Sequence, residues 1–480
     1  MAEQDAGRAP ADEQVDVVVV GLGPGGEDVA ARLARAGLAV VGVEANLVGG
    51  ECPYYGCIPT KMMIRAANAL AEARRVDDLA GSAEVHPDLA PVARRIRDEA
   101  TTDWDDAAAV ERLESAGGRF VRGWGRLVGP REVAVATAGG ERRFRARTGV
   151  VLNPGTAPVV PPVDGLADTP FWTNREAVKA EEAPRSLTVL GGGAIGCELA
   201  QAFARFGSAV RVVEAGPRLL PADEPEAAAL VAERFAAEGI DVRTGVRASQ
   251  VRHDGEEFAL RLEDGTVLAS SHLLVATGRR TDLPALGLAA AGIDDGTDSG
   301  ARTIAVDDRM RAADGVWAVG DVTGHGAFTH MSVYQARIAA ADVLAAHGAG
   351  DGDGERADYR AVPHVTFTDP EIGAVGLTEA AAREAGLTVR TGSVPVPSST
   401  RGWIHGVGNE GFVKLVADAD AGVLVGATSA GPHGGEVLAM LTLAVHARVP
   451  VDRLRQMVYA YPTFHRAVEA ALDDLQGDGS

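Results

Sequence analysis

One structural unit is written twice in this chain of 480 residues. Residues 15–20, Val-Asp-Val-Val-Val-Val, form a short β-branched apolar run of the kind that fills a buried parallel strand. It passes directly into Gly21-Leu22-Gly23-Pro24-Gly25-Gly26, a G-x-G-x-x-G. A helix pattern extends to Gly37, and a second strand, residues 38–43, ends at Glu44. The unit returns as Ser186–Leu190, then Gly191-Gly192-Gly193-Ala194-Ile195-Gly196, a helix pattern, and Ala209–Val213 ending at Glu214. In both copies the acid stands 18 residues after the last glycine. One such turn says little in a chain with 59 glycines. Two, each framed by strand, helix, strand and acid, predict two parallel, doubly wound α/β units.

Each position in the unit has a physical task. Gly21 permits the tight turn, Gly23 lets backbone approach a pyrophosphate, and Gly26 lets helix pack on strand. The helix N-terminus presents N–H groups and a positive dipole end to phosphates. Glu44 can accept from ribose hydroxyls. Gly191, Gly193, Ile195, Gly196 and Glu214 repeat the arrangement. An acid at Glu214 welcomes a 2′-hydroxyl and repels a 2′-phosphate, so NADH is expected there. Arg218 lies within reach by spacing alone and keeps NADPH as the alternative.

The run Gly49-Gly50-Glu51-Cys52-Pro53-Tyr54-Tyr55-Gly56-Cys57-Ile58-Pro59-Thr60-Lys61 holds two of the three cysteines. Four intervening residues can bend enough to bring both sulfurs together. A close pair in a cysteine-poor chain points to redox catalysis or metal binding. No metal site is expected, because His and Cys partners at ligand spacing are missing. Pro53 suits a first helical turn, which places Cys52 near a helix N-terminus and predicts lowered thiol pKa values.

Charge narrows the partners. There are 46 basic and 67 acidic residues, a net −21, which argues against a nucleic-acid or anionic-membrane binder. No run of 18 apolar residues suggests a membrane span. Residues 1–14 are small and polar, without a signal-peptide core, and read as a disordered tail. A cytoplasmic protein of two to four domains is expected.

Further along stand Ala276-Thr277-Gly278-Arg279, Val316-Trp317-Ala318-Val319-Gly320-Asp321, and Val365-Thr366-Phe367-Thr368-Asp369-Pro370-Glu371-Ile372-Gly373. With both Gly-rich units and Cys-x4-Cys, the chain resembles the FAD-dependent pyridine nucleotide–disulfide oxidoreductases. That group includes dihydrolipoamide dehydrogenase, glutathione reductase, mercuric ion reductase and the soluble transhydrogenase. The resemblance implies an α/β fold with two Rossmann-like dinucleotide-binding domains, for FAD and NAD, and a C-terminal α+β dimerisation domain. Residues 15–160 and 280–358 would bind FAD, 161–279 NAD(P)H, and 359–480 would form the interface of a homodimer. Gly21, Gly23, Gly26, Glu44, Gly50, Gly155, Gly278, Gly320 and Asp321 would contact FAD or shape its site. Cys52 would be the thiol that meets substrate and Cys57 the thiol against the flavin. Lys61 would lie near the flavin, paired with Glu198, since a buried lysine needs a partner to stay charged.

The chain also departs from the family. Tyr461 and Arg466 stand where an acid–base histidine and its orienting glutamate are expected. His465 and Glu469 fall on one helical face and could form a displaced pair. Glu51 replaces a threonine, and Asn153-Pro154-Gly155-Thr156 replaces Ala-Thr-Gly-Ser. No cysteine follows Cys197, whereas mercuric reductase carries a C-terminal pair. The expected path runs from nicotinamide through FAD to Cys52–Cys57, then to a small-molecule disulfide or other thiol-reactive acceptor. The alternatives are a quinone reductase or diaphorase, a transhydrogenase-type flavoenzyme, or a mercuric-reductase-like enzyme.

Overall fold

The computed structural model describes residues 13–350 and 354–475. The expected tail therefore lies outside the described residues except for Glu13 and Gln14, which already belong to the first strand. The described chain divides into two compact units.

The first unit comprises the chain up to Ile58, Arg97–Ala157 and Arg279–Asp358. Strand Glu13–Val20 lies parallel to Val40–Glu44 on one side and to Gly140–Leu152 on the other, with Val17 opposite Val40. Arg119–Arg122 continues the sheet beyond Val40–Glu44, and Val316–Ala318 continues it beyond Gly140–Leu152. Val17, Val18 and Val19 are fully buried, which explains an apolar run without alternation in a central strand. Helix Pro24–Arg35 begins with proline in its first turn and buries Val29, Ala30, Leu33 and Ala34.

The second unit comprises Pro59–Ile96, Pro158–Gly278 and the chain from Tyr359. Its parallel sheet runs Asp241–Thr244, Ala209–Glu214, Ser186–Leu190, His272–Val275. Helix Ala194–Arg205 follows the strand Ser186–Leu190, as in the first unit. The C-terminal portion is a five-stranded antiparallel sheet. Leu415, Leu424 and Ala427 of that sheet share a core with Leu438 and Leu441 of helix Gly434–His446 and with Val468 and Leu472 of helix Arg466–Asp474. The α/β class and the C-terminal α+β layer agree with the sequence reading.

Pro59–Ile96 groups with the second unit although residues 15–160 read as one domain. The cause is the second half of helix Cys57–Arg74 and its ionic anchors. Asn68 Oδ1 accepts from Arg205 at 2.6 Å, and Arg75 reaches Asp369 at 2.7 Å. Arg205, 3% exposed, also pairs with Asp369 at 2.8 Å and with Glu238 at 2.6 Å. Burial acts to raise the Asp369 pKa, but Arg205 and Arg75 prevail and hold it below the ordinary carboxylate value. A carboxyl lowered on folding adds stability above its unfolded pKa, lost as pH falls through the lowered value. Asp369→Ala removes a carboxylate shared by two guanidinium groups, Arg205 keeping Glu238 and Arg75 keeping Glu72, and is expected to cost about 1.5–3 kcal/mol at neutral pH. The difference from the parent should shrink below about pH 4. Equal stabilities at pH 7 in denaturant titrations would show that the network is not a stabilising one.

Candidate active site

The two Gly-rich turns share one geometry. Gly21 has φ +89°, and a Cβ on it would lie 2.1 Å from the Asn153 carbonyl oxygen. Gly191 has φ +113°, and its Cβ would lie 2.3 Å from the Ala276 carbonyl oxygen. Only glycine suits either place. Gly26 and Gly196 approach the carbonyls of Gly21 and Gly191 in the same way. Around Gly193 no atom lies within 4 Å of an added Cβ, and around Gly23 only the Asn153 side chain does. Gly23 and Gly193 begin helices of 12 residues without a side-chain cap. Open space over a helix N-terminus fits a bound pyrophosphate at both turns.

The closing acids fasten their own turns. Glu44 accepts from the N–H groups of Leu22 at 2.8 Å and Asn46 at 2.7 Å. Glu214 accepts from Gly192 and Gly216, both at 2.6 Å. Ile195 lies in the first turn of the second helix. The Arg218 guanidinium donates to the carbonyls of Leu220 and Pro221, both at 2.9 Å.

Asn153 joins the motifs of the first unit. It is buried, its Oδ1 accepts from Gly26 N–H at 2.8 Å, and its Nδ2 donates to the Val319 carbonyl at 2.8 Å. Its place in a departing tetrapeptide marked it without revealing this role. Asp321 accepts from Thr156 Oγ1 at 2.7 Å, and Arg279 donates to that hydroxyl at 2.9 Å. Arg279 also lies 3.4 Å from Glu51, so the unusual Glu51 has a counter-ion. Gly320 N–H donates to Gln335 at 2.7 Å, and the Gly155 carbonyl accepts from Thr281 at 2.7 Å. Gly278 has open space where a Cβ would stand, and its carbonyl accepts from Val159 N–H at 2.9 Å.

Gly50 brings the cysteine run to the first cradle, since a Cβ on it would lie 2.9 Å from Gly23 Cα. Cys52 sits in the short helix Glu51–Tyr54, and Cys57 begins helix Cys57–Arg74. Both are free thiols. The Cys52 thiol is hydrogen-bonded to Cys57, and this bond, followed by burial, pushes its pKa up. The expected lowering therefore does not hold for Cys52. Its helix has only four residues, too short for a strong dipole, and the neighbouring sulfur and burial both act against its charged form. Cys57 Sγ lies 3.7 Å from the Thr329 hydroxyl. The sequence reading gave Thr329 no role.

Lys61 and Glu198 do meet. Lys61 Nζ lies 2.6 Å from Glu198 Oε2, and Oε1 accepts from Phe367 N–H at 2.8 Å. Glu198 is 4% exposed, and the Lys61 ammonium lies 4.9 Å from the centre of the Phe367 ring. The C-terminal segment differs from expectation. Tyr461 is 65% exposed, with the Arg466 guanidinium 5.5 Å from its ring centre. Arg466 takes Glu469 at 2.8 Å, so the displaced His465–Glu469 pair is not formed. Helix Arg466–Asp474 starts after His465, which leaves that imidazole at the cap while Arg466 and Glu469 share a face. His465 instead lines an open pocket of about 370 Å³ with Arg401, His433, Glu436 and Phe464.

The sequence profile of the pyridine nucleotide-disulphide oxidoreductases matches residues 15–341, and that of their dimerisation domain matches 362–472. The chain is 34% identical to dihydrolipoyl dehydrogenase of Thermus scotoductus, covering 96% of this chain and 97% of the relative. It is 33% identical to mercuric reductase of Streptomyces lividans, covering 96% of each. Two solved structures superpose with a TM-score of 0.82 at 26% identity, each match covering 96% of this chain and 99% of the other. They are the Cu(II) complex of the HOCl-induced flavoprotein disulfide reductase RclA from Escherichia coli and LpdA from Mycobacterium tuberculosis.

Proposed function

Because this chain belongs to the pyridine nucleotide-disulphide oxidoreductases, we propose that its reducing equivalents leave through Cys52 and Cys57 to a small-molecule disulfide or other thiol-reactive acceptor. The chain is an enzyme with FAD and NAD(P)H as cofactors. Its dimerisation domain supports a homodimer. No helix among the described residues is long and apolar enough to cross a membrane. The three-domain division at residues 160, 280 and 359 and a cytoplasmic place are part of the proposal. A reducing compartment suits a chain with three cysteines and a cycling pair.

The observation that carries the reading is the hydrogen-bonded Cys52–Cys57 pair on the segment whose Gly50 packs against Gly23. When bound, FAD supplies a two-electron carrier between nicotinamide and sulfur. The residues of this chain do the rest. Asn153, Glu44 and Gly50 shape one cradle, and Glu214 shapes the other. Cys52 would meet the acceptor as a thiolate, with Cys57 beside it to close the disulfide. Thr329 offers its hydroxyl to Cys57. Lys61, held by Glu198, would supply the cation that favours negative charge on a reduced flavin. Tyr461, Val458 at 94% and Trp403 at 76% are large side chains exposed within the dimerisation domain. Tyr461 of the partner subunit would complete each site.

Anaerobic titration with NADH tests this reading. The enzyme should take up a second electron pair after the flavin is reduced, because the disulfide stores one pair. Uptake that ends after one pair would remove sulfur from the path. A disulfide acceptor is favoured over soft-metal hand-over. Among the described residues no group of three or more His, Cys, Asp or Glu could hold a metal, and no cysteine follows Cys197. The exposed Tyr461 beside Arg466 supports a second reading, direct reduction of a quinone-type acceptor, which needs no imidazole.

NADH is the proposed donor. Glu214 fills the place a 2′-phosphate would need, and Arg218 is held by two backbone carbonyls. Steady-state kcat/KM should favour NADH over NADPH on the order of 100-fold, from charge repulsion and an unpaired polar group. Equal values for the two nucleotides would overturn the assignment.

A further inference from the structure

Residues 97–106 of the first unit contain irregular backbone near the cysteine run. Ile96–Ala100 form a π-helical turn. Thr102, Asp103 and Trp104 follow with φ of 49°, 56° and 57°, three successive non-glycine residues in the left-handed region. Such conformations persist only where surrounding structure over-determines them, and they gather at functional sites. Here they are held by Asp103 N–H to the Arg97 carbonyl at 2.7 Å and Asp105 N–H to the Thr101 carbonyl at 3.1 Å. Thr101 is 1% exposed.

Two residues of this turn grip the redox segment. Trp104 Nε1 donates to the Tyr54 carbonyl at 3.1 Å, midway between the two cysteines. That carbonyl ends the helix Glu51–Tyr54, where backbone oxygens lack helical partners. Asp106 Oδ2 accepts from Val48 N–H at 2.7 Å, just before Gly49-Gly50, and is itself held by Arg122 at 2.6 Å. The run from Val48 to Tyr54 is thus fastened on each side of Cys52 by residues 104 and 106.

We propose that the Thr101–Asp106 turn is a brace that sets the reduction potential of the cysteine pair, with Trp104 and Asp106 as positioning residues. The inference rests on the reading that Cys52 and Cys57 cycle. Reduction breaks the S–S bond with two electrons and two protons and leaves two thiols. With dithiothreitol as reductant, its two thiols are oxidised to the cyclic disulfide as the protein disulfide opens. A brace that keeps the sulfurs close when both are thiols raises their effective concentration and favours re-closure. Loosening it shifts the balance toward dithiol.

The test uses the holoenzyme, equilibrated anaerobically without nucleotide in graded mixtures of reduced and oxidised dithiothreitol. Thiols are then trapped by alkylation and the peptide carrying Cys52 and Cys57 is weighed. Trp104→Phe keeps the ring and loses the donor. It should require about tenfold less reducing mixtures for half reduction, a shift of about 30 mV for a two-electron couple. Asp106→Ala, which frees Val48, should shift the same way and serves where Trp104→Phe does not fold. Asp106→Asn, which retains an acceptor oxygen, should stay near the parent. Trp124→Phe, in an exposed tryptophan of the same unit, should not move the balance. A parent enzyme with no dithiol–disulfide transition would overturn the cycling pair and the brace with it. A parent that titrates, with Trp104→Phe and Asp106→Ala unshifted, would overturn the brace alone, whatever their melting temperatures. A Trp124→Phe shift as large as that of Trp104→Phe would overturn it also.

Discussion

Cys52→Ser is expected to lower NADH-driven disulfide reduction by a factor on the order of 10⁴, as loss of a covalent nucleophile does elsewhere. Turnover with a quinone-type acceptor should stay within about threefold of the parent, since that route asks nothing of sulfur. The reason lies in the bonds. An acceptor disulfide is opened by a sulfur nucleophile through a mixed disulfide, and the bond closes again when the second thiol attacks. A serine hydroxyl can neither form that intermediate nor be resolved by Cys57. In the structure Cys52 stands beside Cys57, which together with burial raises its thiol pKa, and the Thr329 hydroxyl lies 3.7 Å from Cys57 Sγ. The variant should take up one electron pair from NADH where the parent takes two, read by absorbance under argon. Retention of disulfide turnover by the serine variant would end the sulfur route. Loss of both activities together would point to collapse of the FAD cradle, which Gly50 joins to the cysteine run.

The second large effect is a gain. Tyr461→His combined with Arg466→Glu is expected to raise thiol–disulfide turnover about 10²-fold, the lower end for a positioned acid–base group. A phenol is a poor proton acceptor at neutral pH, whereas an imidazole titrates there. The single change should recover less. Arg466 sits 5.5 Å from the ring at position 461 and holds Glu469 at 2.8 Å, so a new imidazole would face a cation rather than an orienting carboxylate. In the double variant the pH–rate profile should gain an ascending limb between about pH 6 and 7. Turnover identical to the parent across that range would mean that another group, with His465 the first to examine, already moves the proton.

Much of the site was legible because it is local. A Gly-rich turn needs close backbone approach between Gly21 and Gly26, and such short-range geometry leaves a fixed spacing in the sequence. The acids at the ends of the second strands were also legible, as was the Cys-x4-Cys pair. Thr329, Asn153 and Trp104 were not. Each acts on residues far away in the chain, Thr329 on Cys57, Asn153 on Gly26 and Trp104 on Tyr54. A hydrogen bond of that kind imposes no periodicity on the residues between. The His465–Glu469 pairing failed for a related reason. Spacing allowed it, but where the helix begins decides which side chain shares a face with Glu469.

Sequence alone determined the α/β class, the two dinucleotide cradles and the redox pair, because backbone sterics and thiol chemistry depend on neighbours a few residues apart. Tertiary structure decided that the Cys52 thiol pKa is raised, how Glu51 is neutralised by Arg279, and that Arg218 is tied to backbone carbonyls. Those outcomes turn on burial and on partners brought close by folding, and electrostatic energies in a folded chain follow distance in space rather than distance along it.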